Sequence, residues 1–175
     1  MRILVTGGVR SGKSYHAESL LQSQPTVTYV APGPDETQEP DPDWARRLAA
    51  HRQRRPSTWT TVETVDIAGA LARSEDAVLV DCLGTWLTRT IDQQALWEAP
   101  ADDVTAVVRE ATRELVAQLD RPQPVVLVTN EVGLGVVPAH RSGRLFRDLL
   151  GEVNREVAAV CDEIHLVIAG RVLVL

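Results

Sequence analysis

Seven short apolar runs punctuate the chain, and they predict strands at residues 2–6, 26–31, 58–63, 77–81, 125–130, 163–169 and 171–175. Several of them are apolar at every position, not at alternate ones. That is the pattern of a strand covered on both faces. Between the strands the period changes. Val104, Val107, Val108, Ala111, Leu115 and Leu119 recur at three- and four-residue spacing, as do Leu145, Leu149, Val153, Val157 and Val160. Each set makes one apolar stripe on a helix. Residues 14–22 read as a further helix directly after the first strand. Gly170 separates the last two runs and predicts a hairpin there. The alternation gives an α/β fold: a mostly parallel sheet flanked by helices, with an antiparallel C-terminal edge hairpin. Residues 1–175 read as one nucleotide-binding domain, and no internal repeat is present.

One stretch breaks the pattern. APGPDETQEPDPDW carries four prolines and five acids and predicts a surface loop. Asp41-Pro42 resembles an N-cap followed by proline at the first helical position, so a helix is expected over residues 42–54, ending before Pro56.

Composition narrows the function class. Apolar residues make up 44% and charged residues 24%, as in ordinary globular proteins. The net charge of −6 argues against nucleic acid as a partner. No apolar run is long enough to span a bilayer, so no membrane insertion is expected. The chain opens on a strand without the regions of a signal peptide, and Cys82 and Cys161 match no metal spacing. A cytoplasmic protein with reduced thiols is the expectation.

The chemistry is concentrated near the start. Gly7, Gly8, Val9, Arg10, Ser11, Gly12, Lys13 and Ser14 fit G-x-x-x-x-G-K-[ST], between a strand and a helix, as a phosphate-binding loop requires. Backbone N–H groups and the helix N-terminus are suited to the phosphates, and the Ser14 hydroxyl to Mg²⁺. Lys13 is the only lysine in a chain with 17 arginines. The phosphate loop is where arginine cannot replace a compact ammonium, so its retention points to a nucleotide enzyme.

Asp81 ends the run Ala77-Val78-Leu79-Val80. An acid at a strand tip after a phosphate loop suits the Mg²⁺ site, directly or through water; the bland alternative is a turn cap. Asp81-Cys82-Leu83-Gly84 also fits the D-x-x-G of GTPase switches, but such proteins read guanine with N-K-x-D, which a chain with one lysine, already used, cannot contain. Among four histidines, His165 reads as a strand residue, and His16 and His140 show no nameable partner. His51 shares a helix face with Trp44 and Leu48, which suits packing. It also neighbours Arg52, Arg54 and Arg55, cations that suit polyphosphate and keep an imidazole neutral and nucleophilic. Those arginines with Trp44 and Trp59 also fit single-stranded nucleic acid, a reading the acidic loop weakens.

Five blocks then occur in order: the phosphate loop; His51-Arg52-x-x-Arg55-Pro56-x-x-Trp59-x-Thr61-x-Glu63; Asp81-Cys82-Leu83-x-x-Trp86-Leu87-Thr88; Thr129-Asn130-Glu131-Val132-Gly133-x-Gly135-x-Val137-Pro138; and Gly143-Arg144-x-Phe146-Arg147-Asp148. In this the chain resembles, along its whole length, the bifunctional adenosylcobinamide kinase / adenosylcobinamide-phosphate guanylyltransferase family of cobalamin biosynthesis. The resemblance implies a RecA-like P-loop domain and a homotrimer. It implies phosphorylation of adenosylcobinamide from ATP or GTP, then transfer of GMP from GTP to adenosylcobinamide phosphate through a guanylyl-histidine on His51, giving adenosylcobinamide-GDP. It carries nucleotide contacts to Gly7 through Ser14, to Ala31, Pro32 and Gly33, to Arg52, Gln53, Arg54 and Arg55, and to Glu63 and Asp81, with Lys13 catalytic and Ser14 and Asp81 on Mg²⁺. Pro32 stands where the family often has threonine and brings neither an N–H nor a hydroxyl. The alternatives are a P-loop kinase of another small alcohol and a RecA-like ATPase module.

Overall fold

The computed structural model describes residues 1–33 and 55–175. Their elements in order are β1 (Arg2–Gly7), α1 (Lys13–Leu20), β2 (Val27–Ala31), β3 (Trp59–Glu63), α2 (Ile67–Arg73), β4 (Ala77–Asp81), α3 (Leu83–Gln93), α4 (Ala101–Ala117), β5 (Val125–Val128), α5 (Arg141–Ala158), β6 (Glu163–Ile168) and β7 (Arg171–Val174). The helix expected over residues 42–54 lies outside the described residues.

The strands form one sheet in the order β3-β2-β4-β5-β1-β6-β7. Every neighbouring pair is parallel except β6–β7. The turn of that hairpin is Ala169-Gly170, both at positive φ (49° and 75°), which matches the right-handed strand twist.

Strand parity explains the uninterrupted apolar runs. Leu4, Val30, Val78, Val80, Val125 and Leu127 join one buried cluster with Leu83, Leu87, Val108, Leu115, Leu150 and Val153 from α3, α4 and α5. Their sequence neighbours Ile3, Val5, Ala77, Leu79, Val126 and Val128 join the other cluster with Ala17 and Leu21 on the α1 side. Strands β1, β2, β4 and β5 therefore feed two cores at once, and polar alternation is lost in them because neither face meets water. Burying one such side chain contributes about 1.5–3 kcal/mol.

Strand ends shift by one or two residues from expectation: β5 stops at Val128, not at 130, and α1 runs Lys13–Leu20 instead of 14–22. Two helices carry too little sequence pattern to be expected. In α2 only Ile67, Ala70 and Leu71 are buried, too few to show a period; the Asp66 carboxylate caps it by accepting from the Gly69 N–H at 2.7 Å. The α3 stripe is Leu83, Trp86, Leu87, Thr90 and Ile91, with β-branched residues of poor helix propensity. Burial of that stripe overrides propensity, and the Thr90 hydroxyl is satisfied by donating to the Trp86 carbonyl at 2.9 Å.

Candidate active site

Because the strands are parallel, β1 to β5 all end at one edge. The registers Val5↔Val128, Asp81↔Val128 and Ala31↔Glu63 set those ends side by side. That edge, beyond the carboxyl ends of the strands, is where open α/β sheets bind ligands.

The glycine-rich loop leaves β1 there. A Cβ on Gly7 would lie 2.4 Å from the Val167 carbonyl oxygen and 2.7 Å from Ser11 Oγ, so only glycine fits. Gly12 caps α1 at φ 96°, ψ 4°, a left-handed conformation that glycine adopts without steric cost. Arg10 also has positive φ, 57°. The turn closes with Ser11 N–H to Gly8 O at 3.3 Å, and α1 starts with His16 N–H to Gly12 O at 3.0 Å. The hairpin braces the loop from behind: the Gly170 N–H donates to Ser11 O at 2.8 Å. Lys13 Nζ donates to the Gly8 carbonyl at 3.1 Å, so the ammonium spans the mouth of the loop. Ser11 Oγ is buried with no hydrogen-bond partner among the described residues.

Asp81 is half-buried at the tip of β4. The Tyr29 hydroxyl donates to Asp81 Oδ2 at 3.1 Å. Burial, with Asp81 next, pushes the Tyr29 phenol well above its ordinary pKa of 10.0, so it stays a protonated donor. Arg55 stacks its guanidinium 3.3 Å from the centre of the Tyr29 ring and donates from Nη1 to Thr61 Oγ1 at 3.0 Å. Burial, reinforced by Asp81, raises the Cys82 thiol pKa and so disfavours its thiolate. Between β1 and β4 the β5 tip is tied down: the Glu131 N–H donates to Gly7 O at 3.2 Å, and the Thr129 hydroxyl donates to Asn154 Oδ1 at 2.6 Å.

The structure thus brings together Gly7, Lys13, Ser14, Ala31, Pro32, Gly33, Glu63 and Asp81 along one sheet edge, with Arg55 stacked on Tyr29 beside them. His51, Arg52, Gln53 and Arg54 lie outside the described residues. Tyr29 carries no sequence signal; inside Val27–Ala31 it reads as one more apolar core position. A second omission is the His16–His165 pair. His16 Nε2 lies 2.8 Å from His165 Nδ1, and His165 Nε2 lies 2.8 Å from Glu163 Oε2. So His16, which showed no partner in the sequence, anchors α1 to β6. Burial and then the His165 ring lower its pKa below 6.5.

Oxygen donors on this edge, the Asp81 carboxylate and the Ser14 hydroxyl, suit a hard cation. Among the described residues no three His, Cys, Asp or Glu side chains gather as a metal cage. A hard cation such as Mg²⁺ takes one or two protein ligands and completes its shell with phosphates and water.

A parallel sheet with a glycine-and-lysine loop after β1 at its carboxyl edge and an acid at the tip of β4, one strand removed, defines a P-loop nucleotide-binding protein. Two type III secretion ATPases share the fold. EscN of enteropathogenic E. coli superposes with a TM-score of 0.56 at 13% identity, over 96% of this chain and 43% of its own. A prototypical ATPase from the type III secretion system of pathogenic bacteria gives 0.56 at 10% identity, over 94% of this chain and 51% of its own. The model of the cobinamide kinase / cobinamide phosphate guanyltransferase family matches residues 3–175. The bifunctional adenosylcobalamin biosynthesis protein CobU of Salmonella typhimurium LT2 is 39% identical over 97% of both chains. Its E. coli K12 namesake is 40% identical over 97% of both, and CobP of Pseudomonas aeruginosa is 38% identical over 97% of this chain and 94% of its own. The chain belongs to the cobinamide kinase / cobinamide phosphate guanyltransferase family, and it is a transferase of cobalamin biosynthesis. Among the described residues no helix is long and apolar enough to cross a membrane.

Proposed function

We propose that the 175 residues act as one nucleotide-binding unit that carries out two transfers at the edge described above. In the first, the hydroxyl oxygen of adenosylcobinamide bonds to the γ-phosphorus of ATP or GTP, the bond to the β,γ-bridging oxygen breaks, and the diphosphate leaves. The hydroxyl proton passes to solvent. Lys13 holds the β- and γ-phosphates, and the loop N–H groups orient them. Ser14 and Asp81 would hold Mg²⁺, which supplies neutralisation of the phosphate charge.

In the second transfer a neutral His51 nitrogen attacks the α-phosphorus of GTP, and pyrophosphate leaves. A phosphate oxygen of adenosylcobinamide phosphate then attacks the same phosphorus and releases His51. Dividing one displacement into two needs a nucleophile that is also a leaving group, which imidazole is. Arg52, Gln53, Arg54, Arg55, Glu63, Ala31, Pro32 and Gly33 are the proposed nucleotide contacts. The same reading places the protein in the cytoplasm as a homotrimer, with adenosylcobinamide and its phosphate as its substrates.

The observation that carries this reading is Lys13, the only lysine in the chain, bound across a loop that tolerates no side chain at Gly7. The test supplies adenosylcobinamide with γ-labelled ATP, then adds GTP labelled at the α-phosphate. Label passing first to the corrinoid phosphate and then to a corrinoid nucleotide supports both steps. Labelled corrinoid phosphate without the second product reduces the protein to a kinase. Hydrolysis alone leaves only an ATPase.

A further inference from the structure

We propose that Tyr29 is a positioning residue that joins the two halves of this site: its hydroxyl orients the Asp81 carboxylate toward the cation, and its ring face seats Arg55. The inference rests on the assignment of Asp81 to Mg²⁺ and of Arg55 to the nucleotide.

Tyr29 lies on β2 between β4 and β3, paired with Leu79 on one side and Thr61 on the other. It is 3% exposed, packed in the α1-side core with Val27, Leu79 and Trp59. A phenylalanine would fill that volume equally well. The added hydroxyl reaches Asp81 Oδ2 at 3.1 Å and would otherwise be a buried polar group without a partner. A carboxylate gripped at one oxygen loses rotation about its end and presents the other in a fixed direction. The opposite side of the residue carries Arg55, whose guanidinium lies 3.3 Å from the ring centre while its Nη1 bonds the Thr61 hydroxyl. Stacking on an aromatic face and bonding to a strand hydroxyl fix a long side chain in two directions. Arg55 is four residues from His51 and four from Trp59 at the start of β3 in sequence, so the ring that orients the metal acid also fixes Arg55 at the entry to β3.

The experiment uses Tyr29→Phe, which keeps the ring, and Tyr29→Leu, which keeps neither function. Mn²⁺ binding is read by electron paramagnetic resonance with a non-hydrolysable ATP analogue present, so the result does not depend on corrinoid turnover. Tyr29→Phe should weaken Mn²⁺ binding about 10-fold, the lower end for loss of a group that orients a metal ligand. Metal-free nucleotide affinity should hold, and GMP labelling should fall at low Mg²⁺ and recover at saturating Mg²⁺. In an Asp81→Asn background the same change should have no further effect on Mn²⁺. Tyr29→Leu should lose both Mn²⁺ affinity and GMP labelling from α-labelled GTP. Wild-type Mn²⁺ affinity in Tyr29→Phe, or additive effects with Asp81→Asn, would overturn the carboxylate role. Full GMP labelling in Tyr29→Leu would overturn the arginine seat. A wild-type protein with Mn²⁺ affinity but no transfer to a corrinoid would instead overturn the proposed function and leave Tyr29 untouched.

Discussion

Replacing Gly7 by alanine should damage both stability and nucleotide binding, while the same change at Gly8 should not. The difference follows from one atom. At Gly7 the new methyl would sit 2.4 Å from the Val167 carbonyl oxygen and 2.7 Å from Ser11 Oγ, whereas at Gly8 nothing lies within 4 Å. Carbon and oxygen approach no closer than about 3.3 Å even in weak C–H···O contacts, so the backbone must yield by about 0.9 Å. The Val167 oxygen is backbone and cannot swing aside, although the Ser11 hydroxyl can turn. Val167 is paired with Gly7 in the β1–β6 ladder, and Ser11 is in the loop that presents N–H groups to phosphate. Overpacking of this kind costs about 1–3 kcal/mol. For a chain of this size that lowers Tm by about 2–12 °C. The loop geometry fails with it, so ATP affinity by calorimetry should fall. Gly8→Ala should keep Tm within about 1 °C, consistent with the small effect of surface changes. Equal melting and equal ATP affinity for the two variants would refute the steric account of the loop.

Lys13→Ala should reduce kinase turnover by more than 100-fold, since a lost charge-stabilising donor costs about 3–4 kcal/mol; turnover within tenfold of wild type would sink the loop assignment. Asp81→Asn keeps shape and loses charge, so the Mg²⁺ concentration for half-maximal activity should rise; an unchanged titration would make Asp81 a strand cap. His16 has a folded pKa below 6.5, so the unfolded chain takes up its proton first as pH falls. Its stabilising contribution is therefore present above pH 6.5 and lost below it, down to the folded value. Thermal melts from pH 7.5 to 5 should show that loss in wild type and a smaller one in His16→Gln; parallel curves would contradict it. Asp162, held down to about 2 by its hydrogen bonds to Arg2, acts between its ordinary 3.8 and about 2, outside that window.

What the sequence made legible was what has a period or a fixed motif. Continuous apolar runs exposed the strands because two cores share them, and the glycine at 170 marked the hairpin that the structure closes with Ala169. The phosphate loop was readable because Gly7 and Gly12 answer steric demands that no other residue meets. Helix α2 escaped because seven residues with three buried positions hold too little pattern, and α3 because Gly84 and Thr90 interrupt its apolar stripe. The side-chain pairs were invisible for a different reason. Tyr29 reaches Asp81 across a strand pair, and His16 meets His165 across 149 positions, so only the sheet order brings them together. His51 is the reverse case, read from its motif while lying outside the described residues.

The most direct test of the account is intact mass and peptide analysis after incubation with GTP and Mg²⁺. Two-step guanylyl transfer requires a single GMP on the peptide containing His51, as a phosphoramidate that is labile in acid and stable in base. The adduct should disappear when adenosylcobinamide phosphate is added, with the GMP recovered on the corrinoid. An adduct on His16, His140 or His165, or GMP transfer that persists in His51→Ala, would contradict it.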